Sequence, residues 1–541
     1  MNEHLKEIYV FGKAAATNEY DVDVLVIGGG PAGTWAAIRA AESGATTLLV
    51  DKGYCGTSGA TAAAGTNIWH VPPHLRDKAK NNRFAMGGYL AEHGWMDRVL
   101  EQTWHNNEQL EAWGYPYPRD EQGTTHYVSL QGPEYMRLMR KRVKAAGAKI
   151  LDQSPALALL VDADGTVSGA MGVRRQIGDT WAVRAGAVII ATGGCAFLSR
   201  ALGCNVLTGD GYLLAAEAGA ELSGMEFSSA YGLAPAFAST TKSLFYTWAT
   251  FYDQHGHVIE GAGSSRGRGI IAQTLQTEPV FACLDRADDT VKSWMRQTQH
   301  NFFLPFQRRG IDPFTDHFPV ALRLEGTVRG TGGLNLVDTT CATSVPGLYA
   351  AGDAATREFI CGGFTGGGSH NAAWAMSSGS WAGAGAARHA MQNRGRRASA
   401  LRSVRSTKVE QDDRATLSTP GLVRLVQQEV FPTQKNWWRS AVGLQTSLEV
   451  LDTAWQVTRH TGLPGYSAAD WQKAREAAAM LATARWMYRS ALARPESRGM
   501  ARRSDHPALD PRQQHRLLSG GLDEVWTRPT ATINADLTLA A

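Results

Sequence analysis

Residues 23–51 of this 541-residue chain read DVLVIGGGPAGTWAAIRAAESGATTLLVD, and this stretch decides the predicted fold. Its first five residues, 23–27, read DVLVI, an acidic residue followed by four apolar ones, and are typical of a buried strand. A glycine-rich turn and an alanine-rich segment at about 31–43 follow, and residues 46–50 form a second apolar run. This order predicts a strand, a helix and a second, parallel strand, which together make one βαβ unit of an α/β fold.

The glycines of the turn have the spacing of a dinucleotide-binding loop. Gly28, Gly30 and Gly33 form the pattern GxGxxG between the strand and the helix. We expect Gly28 to allow the tight turn, Gly30 to let a pyrophosphate approach the backbone, and Gly33 to pack the helix close to the strand. Asp51 ends the second strand, where a carboxylate accepts a hydrogen bond from a ribose hydroxyl. The alternative is a turn of purely structural use, which does not account for the strand, helix and acid in this order.

The composition argues against several classes of protein. The chain has 54 basic and 50 acidic residues, so its net charge of +4 is too small to indicate nucleic-acid binding. It has no run of about 18 apolar residues and no apolar leader, so we expect neither a membrane span nor a signal peptide. Its six cysteines show no CxxC spacing. We therefore expect no metal site or iron–sulfur cluster, and a reducing, cytoplasmic location.

Changes of pattern along the chain predict four segments. Residues 1–220 and 336–392 would form the two parts of the dinucleotide-binding domain, because apolar strand patterns occur in both. Residues 221–335, with mixed periodicity, would form an inserted α+β capping domain. Residues 393–541 would comprise a polar linker, a helical domain and a tail. The strands predicted in the first segment after residue 150 are 156–161, 167–173, 181–185 and 187–194. The predicted fold class is α/β, a Rossmann-like domain with an inserted cap and a C-terminal helical domain.

Further motifs indicate which dinucleotide is bound. They are SGATAAAG at 58–65, ATGG at 191–194 with TGDG at 208–211, GMEF at 224–227, GLYAAGD at 347–353 and ESRG at 496–499. Together with the βαβ unit, these motifs resemble the succinate dehydrogenase and fumarate reductase flavoprotein superfamily over nearly the whole chain. The resemblance implies an FAD-dependent oxidoreductase, in which the Rossmann-like domain is the FAD-binding domain.

The resemblance also implies a set of FAD-binding residues. The glycine loop and Asp51 would bind the pyrophosphate and the adenosine ribose, and Ser58, Gly59 and Thr61 would lie along the flavin. Asp353 would bind the ribityl or pyrophosphate end. The helix after Gly368 would direct its N-terminus at the flavin ring, where it stabilises negative charge. The complete set is Gly28, Gly30, Pro31, Ala32, Gly33, Asp51, Lys52, Ser58, Gly59, Thr61, Ala191, Thr192, Gly193, Asp210, Gly352, Asp353, Asn371 and Ser377.

The chain departs from the superfamily at the position of covalent FAD attachment. Succinate dehydrogenases carry a histidine there that bonds to FAD, whereas this chain has Gly59. Glycine has no side chain that could form the bond. We therefore expect FAD to be bound non-covalently.

The chain also departs from the groups that bind a dicarboxylate in the superfamily. Tyr231 stands at one histidine position and Val328 lies near the other, while residues 365–369 read TGGGS where a second arginine is expected. A buried carboxylate needs charged, bidentate partners. We infer that the substrate is neither succinate nor fumarate, and that Arg329, one place from Val328, is a candidate to compensate.

Five residues are candidates for contact with the substrate, each with a structural alternative. Arg266 would donate a proton or anchor the substrate, and the alternative is a surface ion pair. Asn67 would orient the substrate, and the alternative is a turn or cap residue. Tyr231 and His370 would act beside the flavin, and the alternatives are core packing and a structural bond in the glycine loop. Arg329 completes the set.

Two details are similar to the alpha subunit of adenylylsulfate reductase: SGA at 58–60 with Asn67, and SSGS at 377–380. That family binds FAD non-covalently and passes electrons through a separate ferredoxin-like iron–sulfur protein, although its catalytic histidine is missing here near Val328. The resemblance implies hydride transfer between FAD and a small organic or oxyanion substrate, with a ferredoxin-like electron partner. The alternatives are an oxidase that uses O₂ and a non-catalytic, FAD-carrying electron-transfer subunit. The oligomeric state stays open.

Overall fold

The computed structural model describes residues 16–127, 129–241, 244–264, 267–365, 367–394, 400–405, 409–410 and 417–530. The strands are β1 Asn18–Ile27, β2 Thr47–Val50, β3 Gly65–Asn67, β4 Ser129–Gln131, β5 Lys149–Leu151, β6 Ala156–Val161, β7 Val167–Val173, β8 Thr180–Ile190, β9 Leu222–Ser223, β10 Ala230–Pro235, β11 Thr250–Tyr252, β12 Phe281–Cys283, β13 Phe318–Glu325, β14 Gly333–Leu334, β15 Leu348–Ala350, β16 Arg402–Val404, β17 Val409–Glu410, β18 Leu463–Pro464, β19 Leu517–Gly520 and β20 Trp526–Pro529. The helices are α1 Pro31–Glu42, α2 Arg76–Met86, α3 His93–Ala112, α4 Gly132–Ala145, α5 Asp210–Glu217, α6 Arg268–Thr274, α7 Asp289–Thr298, α8 His300–Gln307, α9 Gly326–Arg329, α10 Glu358–Cys361, α11 Gly368–Gln392, α12 Thr419–Val430, α13 Thr433–Asn436, α14 Ala441–Thr461 and α15 Ala468–Ala493.

The largest sheet contains the predicted βαβ unit. Its strand order is β16-β6-β7-β8-β1-β2-β5, and β15 pairs with β8 beside it. β1 is parallel to β2 and β8, and β15 is parallel to β8. Val24, Leu25 and Val26 of β1 are fully buried, as expected for the centre of a parallel sheet covered on both faces. The carboxyl ends of these parallel strands therefore meet at one edge, where open α/β sheets bind their ligands.

One strand is longer than the sequence predicts. The runs 181–185 and 187–194 were expected as separate strands, but a single strand, β8, continues through Gly186 and ends at Ile190. A Cβ added at Gly186 would lie 2.8 Å from the Cβ of Ala390 in α11. The glycine therefore makes room for a helix against the sheet and does not end the strand. The strands predicted at 156–161 and 167–173 are present as β6 and β7.

Helices α1 and α11 pack closely through small residues. A Cβ added at Gly379 would lie 2.4 Å from the backbone oxygen of Ala32, and one at Gly383 would lie 2.3 Å from that of Ala36. Residues four apart share one face of a helix, so the two glycines form a continuous surface on which α1 rests. This contact fixes α11 above the βαβ unit.

A second, antiparallel sheet lies within the segment predicted as the cap. Its order is β10-β13-β12-β11, and α6, α7 and α8 belong to the same segment. The aromatic side chains of its core are Phe245, Tyr246, Phe251, Phe302, Phe303, Phe306, Phe314 and Phe318. Because this segment buries its own apolar core, it forms a distinct α+β layer beside the main sheet.

Buried ion pairs anchor the C-terminal segment. Arg494, just after α15, bonds to Glu226 (Nε–Oε1, 2.8 Å) and to Glu496 (Nη1–Oε1, 3.0 Å). Arg498 bonds to the same Glu496 oxygen (Nε–Oε1, 2.6 Å), and all four side chains are buried. Loss of one partner would leave an uncompensated buried charge. The ESRG motif at 496–499 therefore holds the C-terminal segment in place.

The predicted fold class is confirmed: a Rossmann-like sheet, an α+β layer and a helical C-terminal segment are all present. None of the helices in the described ranges combines the length and the apolar character needed to cross a membrane. Arg266 lies outside the described residues, so the predicted role of this arginine has no structural counterpart here.

Candidate functional site

A cavity of about 1250 Å³ opens at the carboxyl edge of the main sheet. Sites for one small molecule usually measure about 300–1,000 Å³, so this cavity has room for more than one. The predicted cofactor residues that line it are Gly28, Gly30, Pro31, Ala32, Asp51, Lys52, Ser58, Gly59, Thr61, Ala191, Thr192, Gly193, Asp210, Gly352, Asp353 and Asn371. Of the predicted set, Gly33 and Ser377 do not line it.

The three glycines of GxGxxG have different surroundings. Gly28 has φ +112°, and a Cβ there would lie 2.3 Å from the oxygen of Ala191. A Cβ at Gly33 would lie 1.8 Å from the oxygen of Gly28, so Gly33 packs α1 against the turn. Gly30 is extended (φ −74°, ψ −173°), and a Cβ there would have no atom within 4 Å. Open space thus faces the backbone at the N-terminus of α1, which fits a pyrophosphate.

Asp51 is buried at the wall of the cavity. Its Oδ1 accepts hydrogen bonds from Gly53 N (2.7 Å) and Ser58 Oγ (3.0 Å). Its Oδ2 accepts one from Gly29 N (2.6 Å). Each carboxylate oxygen can accept two hydrogen bonds, so Oδ2 retains capacity for a ribose hydroxyl. The arrangement fits the adenosine ribose of a dinucleotide and also holds two loops together.

Lys52 and Asp210 line the cavity but bind each other. Lys52 Nζ donates to Asp210 Oδ2 (2.5 Å) and to Glu476 Oε1 of α15 (2.8 Å). A third bond goes to Thr208 Oγ1 (2.7 Å), so all three ammonium protons are used. Burial alone would lower the pKa of Lys52, but the two carboxylates raise it and keep the ammonium charged. This corrects the predicted role of the Lys52 side chain: it links the end of β2 to α15, and its ammonium has no proton left to donate to a cofactor.

Gly59, which the resemblance to succinate dehydrogenases matches with the attachment histidine, is open to the cavity. It has φ +89°, and a Cβ there would have no atom within 4 Å. The positive φ favours glycine over residues with a side chain. A flavin in this part of the cavity would therefore meet backbone alone at residue 59, as non-covalent binding requires.

Asn371, in the first turn of α11, has an unsatisfied buried acceptor. Its Nδ2 donates to the oxygen of Val328 (2.9 Å), whereas its Oδ1 is buried and has no partner in the described part of the chain. A buried acceptor without a donor is costly. The orphaned oxygen fits a ligand that presents an N–H group, such as the pyrimidine part of a flavin.

The start of α11 gives the cavity a positive character. Gly367 and Gly368 line the cavity, and no side chain caps this 25-residue helix. A Cβ added at Gly368 would lie 3.8 Å from Nη1 of Arg329. The partial positive charge of the helix N-terminus and the arginine therefore act on the same region, which favours a bound anion.

Ser377 is turned away from the cavity, which corrects its predicted contact with the cofactor. Its hydroxyl lies 3.3 Å from Thr103 Oγ1 and 3.5 Å from Val99 O, both in α3. Its neighbour Ser378 accepts a hydrogen bond from Gly352 N (2.9 Å). Successive helix residues point in directions about 100° apart, so the SSGS motif supports the cavity loop through Ser378.

The structure favours the structural alternative for His370, whereas Tyr231 lines the cavity and its ring also stacks on Trp437. The hydroxyl of Tyr231 donates to the backbone oxygens of Val430 (3.0 Å) and Phe431 (3.1 Å), so it is already engaged. The ring of His370 packs against Trp69 with centroids 4.6 Å apart, and His370 does not line the cavity. Burial and nearby arginines lower the pKa of His370 to about 3, so the ring is neutral at pH 7.

Asn67 and Arg329 do line the cavity, and Arg268 joins them there. Arg268 donates through Nη1 to Tyr231 O (3.0 Å) and through Nη2 to Ser264 O, while its Nε is buried without a partner in the described residues. Burial lowers the pKa of Arg268. In the described ranges, no carboxylate lies within ion-pairing distance of it.

One carboxylate stands opposite the cavity arginines. Arg329 Nε lies 3.6 Å from Glu325 Oε2, and Glu325 Oε1 also accepts a hydrogen bond from Thr241 (2.9 Å). Arg502 lines the cavity from the C-terminal segment, with its guanidinium 5.9 Å from the ring centre of Trp437. Sequence reasoning missed Arg268 and Arg502, because they come from distant segments and share no spacing. The sequence RGRG at 266–269 was the single signal for Arg268.

No group of three metal-ligating side chains occurs among the described residues, and all six cysteines are buried free thiols. The buried thiols lie in an apolar interior, where burial raises their pKa, as it does for Cys361 and Cys283. Such thiols are poor nucleophiles and poor metal ligands.

Comparisons with known proteins agree with this geometry. Two family models match the chain: an FAD binding domain over residues 23–230 and a fumarate reductase flavoprotein C-terminal domain over residues 428–537. One subunit of the fumarate reductase (CoM/CoB) of Methanothermobacter marburgensis is 25% identical over 547 residues, which is 92% of this chain and 97% of the relative. The first match spans the cavity loops from Gly28 to Asp210.

Two solved structures share the fold. An Escherichia coli quinol fumarate reductase superposes with a TM-score of 0.77 at 20% identity and covers 95% of this chain and 97% of its own. The adenylylsulfate reductase of Archaeoglobus fulgidus superposes with a TM-score of 0.71 at 18% identity and covers 97% and 98%. The architecture therefore extends over nearly the whole described chain.

Proposed function

Because the chain belongs to the succinate dehydrogenase and fumarate reductase flavoprotein superfamily, whose members are FAD-dependent oxidoreductases, we propose that it transfers a hydride between FAD and an anionic substrate. The observation that carries the proposal is Arg268, a cavity arginine whose η nitrogens donate to carbonyl oxygens and whose Nε is buried without a partner in the described residues. The charge of Glu325 raises the pKa of Arg268, but this carboxylate also lies 3.6 Å from Arg329. Two guanidinium groups that share one carboxylate are left with an uncompensated positive charge, which is costly to withdraw from water. A substrate carboxylate or oxyanion would supply that charge.

The charge balance of the cavity supports the same substrate class. Arg268, Arg329 and Arg502 line its part nearest the second sheet and the C-terminal segment, whereas Glu325 is the acid among the described residues there. The planar fork of a guanidinium matches a carboxylate or another oxyanion in two parallel hydrogen bonds. We therefore assign binding and orientation of the substrate anion to Arg268 and Arg329.

Bound FAD would supply the acceptor or donor of the hydride. Gly28, Gly30 and Asp51 would hold it, and the N-terminus of α11 would stabilise negative charge on it. Asn67 stays a candidate to orient the substrate, since it lines the cavity. Arg266 stays a candidate proton donor two residues before Arg268.

We also propose a separate electron partner with a ferredoxin-like iron–sulfur centre. The relative from Methanothermobacter marburgensis is a named subunit of a larger enzyme. Among the described residues of this chain, no cluster of ligands could hold a metal. The sequence shows one dinucleotide motif, which leaves no evident second site for a nicotinamide. Electrons would then enter or leave through another protein.

The substrate class is tested by anion binding to the purified holoprotein under anaerobic conditions. Crotonate, fumarate and sulfite are titrated, and the change in FAD absorbance gives each dissociation constant. For each anion that binds, we expect Arg268→Gln to raise the dissociation constant by about tenfold or more, because hydrogen bonds to a charged group are worth about 1.5–3 kcal/mol. Arg424→Gln, an exposed arginine of α12 away from the cavity, is the control. Equal affinities in wild type and Arg268→Gln would contradict the proposal.

The partner is tested by re-oxidation of the reduced flavin. The photoreduced holoprotein is mixed separately with an oxidised ferredoxin and with air-saturated buffer. We expect rapid re-oxidation by the ferredoxin and slow re-oxidation by O₂. Rapid re-oxidation by O₂ with stoichiometric hydrogen peroxide would identify an oxidase and reject the partner.

A further inference from the structure

Large apolar side chains line the same cavity as the arginines. Trp294 of α7, Leu244 and Met86 at the end of α2 are 41%, 60% and 55% exposed, and all three line the cavity. They come from three separate segments of the chain. Single exposed apolar residues are common on protein surfaces, but several on the wall of one cavity mark a place for an apolar ligand group.

The exposed face of Trp294 is held in position by the core of the second sheet. Its ring packs against Phe245 with centroids 5.7 Å apart and against Trp248 with centroids 5.8 Å apart. Phe245 is buried and also lines the cavity. An aromatic wall fixed by its neighbours loses little side-chain freedom when a ligand packs against it.

The arginines and the apolar residues together restrict the substrate. A small dicarboxylate would direct its second charge at this apolar wall or at a single remaining cation, and a charge loses hydration against an apolar surface. An anion with an apolar body would place its charge at Arg268 and Arg329 and its body against Trp294. Both ends would then be covered.

We infer that the substrate is an amphipathic anion, with one carboxylate or oxyanion group and an aromatic or branched apolar body. The inference rests on the proposed function for the anionic end. The new element is the subsite of Trp294 and Leu244, the neighbour of Phe245, for the apolar end.

The test compares crotonate with cinnamate, which share an unsaturated carboxylate and differ by a methyl or a phenyl group. Both are titrated into the holoprotein, and dissociation constants are taken from the FAD absorbance change and from calorimetry. We expect cinnamate to bind about tenfold or more tightly than crotonate, because the phenyl ring buries more apolar area. Trp294→Ala should reduce this ratio to under about threefold.

Matched variants control for general effects. Trp526→Ala removes a tryptophan of similar exposure, 38%, in β20 away from the cavity, and should keep the wild-type ratio. If Trp294→Ala does not fold, Leu244→Ser replaces it, with the exposed Leu304→Ser of α8 as its control. Flavin content and circular dichroism establish that each variant is intact.

The outcomes separate this inference from the proposed function. Equal binding of crotonate and cinnamate, both weakened in Arg268→Gln, would overturn the apolar subsite and leave the anion site standing. A cinnamate advantage that persists in Trp294→Ala and Leu244→Ser would also overturn the subsite. Loss of the cinnamate advantage in those variants, with Arg268 still required, supports both. No binding of any anion would reject the proposed function itself.

Discussion

The two halves of the cavity are built by different means. The half beside the main sheet presents backbone: a Cβ added at Gly30 or Gly59 would have no atom within 4 Å, and Gly28 turns the chain against Ala191. The half beside the second sheet presents side chains, including Arg268 and Trp294. A backbone site depends on a few adjacent residues at fixed spacing. A side-chain site depends on residues that the fold brings together, so substitutions there change the ligand without changing the frame.

The largest expected effect comes from valine at the glycine loop. Gly30→Val should leave the protein folded, because the φ and ψ of Gly30 suit valine and the added side chain would meet no protein atom. It should leave the protein without flavin, because the side chain would occupy the cavity space of the cofactor. Gly28→Val should instead prevent folding, since its φ is +112° and a Cβ would lie 2.3 Å from Ala191 O. Flavin absorbance per protein and circular dichroism are the measurements.

A third glycine provides the control for that pair. A Cβ at Gly94 in α3 would also have no atom within 4 Å, and Gly94 does not line the cavity. Gly94→Val should therefore retain flavin. A folded, flavin-replete Gly30→Val would show that the backbone half of the cavity does not bind the pyrophosphate.

Sequence reasoning succeeded where neighbours in the chain are neighbours in the site. The βαβ unit, its glycines and Asp51 follow from one stretch of sequence, and the structure places Gly28, Gly30 and Asp51 around the cavity. Spacing also predicted β6 and β7 with their observed bounds. These features are set by local backbone geometry, which the sequence pattern expresses directly.

Sequence reasoning failed where a side chain is bound by a residue far along the chain. It also failed where the contact depends on the direction in which a helix residue points. Lys52 forms an ion pair with Glu476, 424 residues away, and the sequence around Lys52 gives no signal of this pairing. Ser377 and Ser378 are adjacent in α11 but point in different directions. Ser377 therefore contacts α3, whereas Ser378 contacts the cavity loop at Gly352. Arg268 is held by the backbone oxygen of Tyr231, 37 residues away, and its Nε is left without a partner in the described residues, which spacing does not show.

The next expected effect concerns how the backbone half holds FAD. Because Gly59 has no side chain at the attachment position, acid precipitation should release all the flavin into the supernatant. The absorbance of supernatant and washed pellet is the measurement. A yellow pellet after washing would mean that another residue attaches FAD covalently.

A smaller effect tests the side-chain half with a dicarboxylate. Fumarate should be reduced at less than about 1 s⁻¹, tenfold below a typical turnover of about 10 s⁻¹, because the resemblance puts Tyr231 at one histidine position of the superfamily and Val328 near the other. Oxidation of a low-potential dye under anaerobic conditions gives the rate. A rate near the typical value would mean that Arg268, Arg329 and Arg502 suffice for a dicarboxylate, and the two halves would then match a fumarate reductase.

The smallest expected effect concerns a buried pair that does not line the cavity, Glu226 and Glu358. Glu358 accepts a hydrogen bond from Ser223, and one oxygen of each glutamate is buried without a partner in the described residues. Burial, and then the charge of Glu226, raise the pKa of Glu358 to about 8. An unfolded glutamate has a pKa of about 4.3, so the folded state binds more protons between these values. The stabilisation is complete below that lower pKa and is lost as the pH rises towards 8.

Glu358→Gln keeps a neutral side chain at every pH, so it should remove the part of the pH-dependent loss of stability that comes from ionisation of Glu358. Between about pH 6 and 8.5, we expect the Tm of the holoprotein to fall by roughly 2–4 °C less in Glu358→Gln than in wild type. Glu524→Gln, an exposed residue near β20, should follow wild type. Differential scanning calorimetry at constant ionic strength gives the values. Parallel pH profiles for wild type and Glu358→Gln would mean that Glu358 is ionised in the folded protein and that Arg494 and its neighbours compensate its charge. In that case Glu226 and Glu358 would belong to a salt-bridge network, with no protonated carboxyl in it.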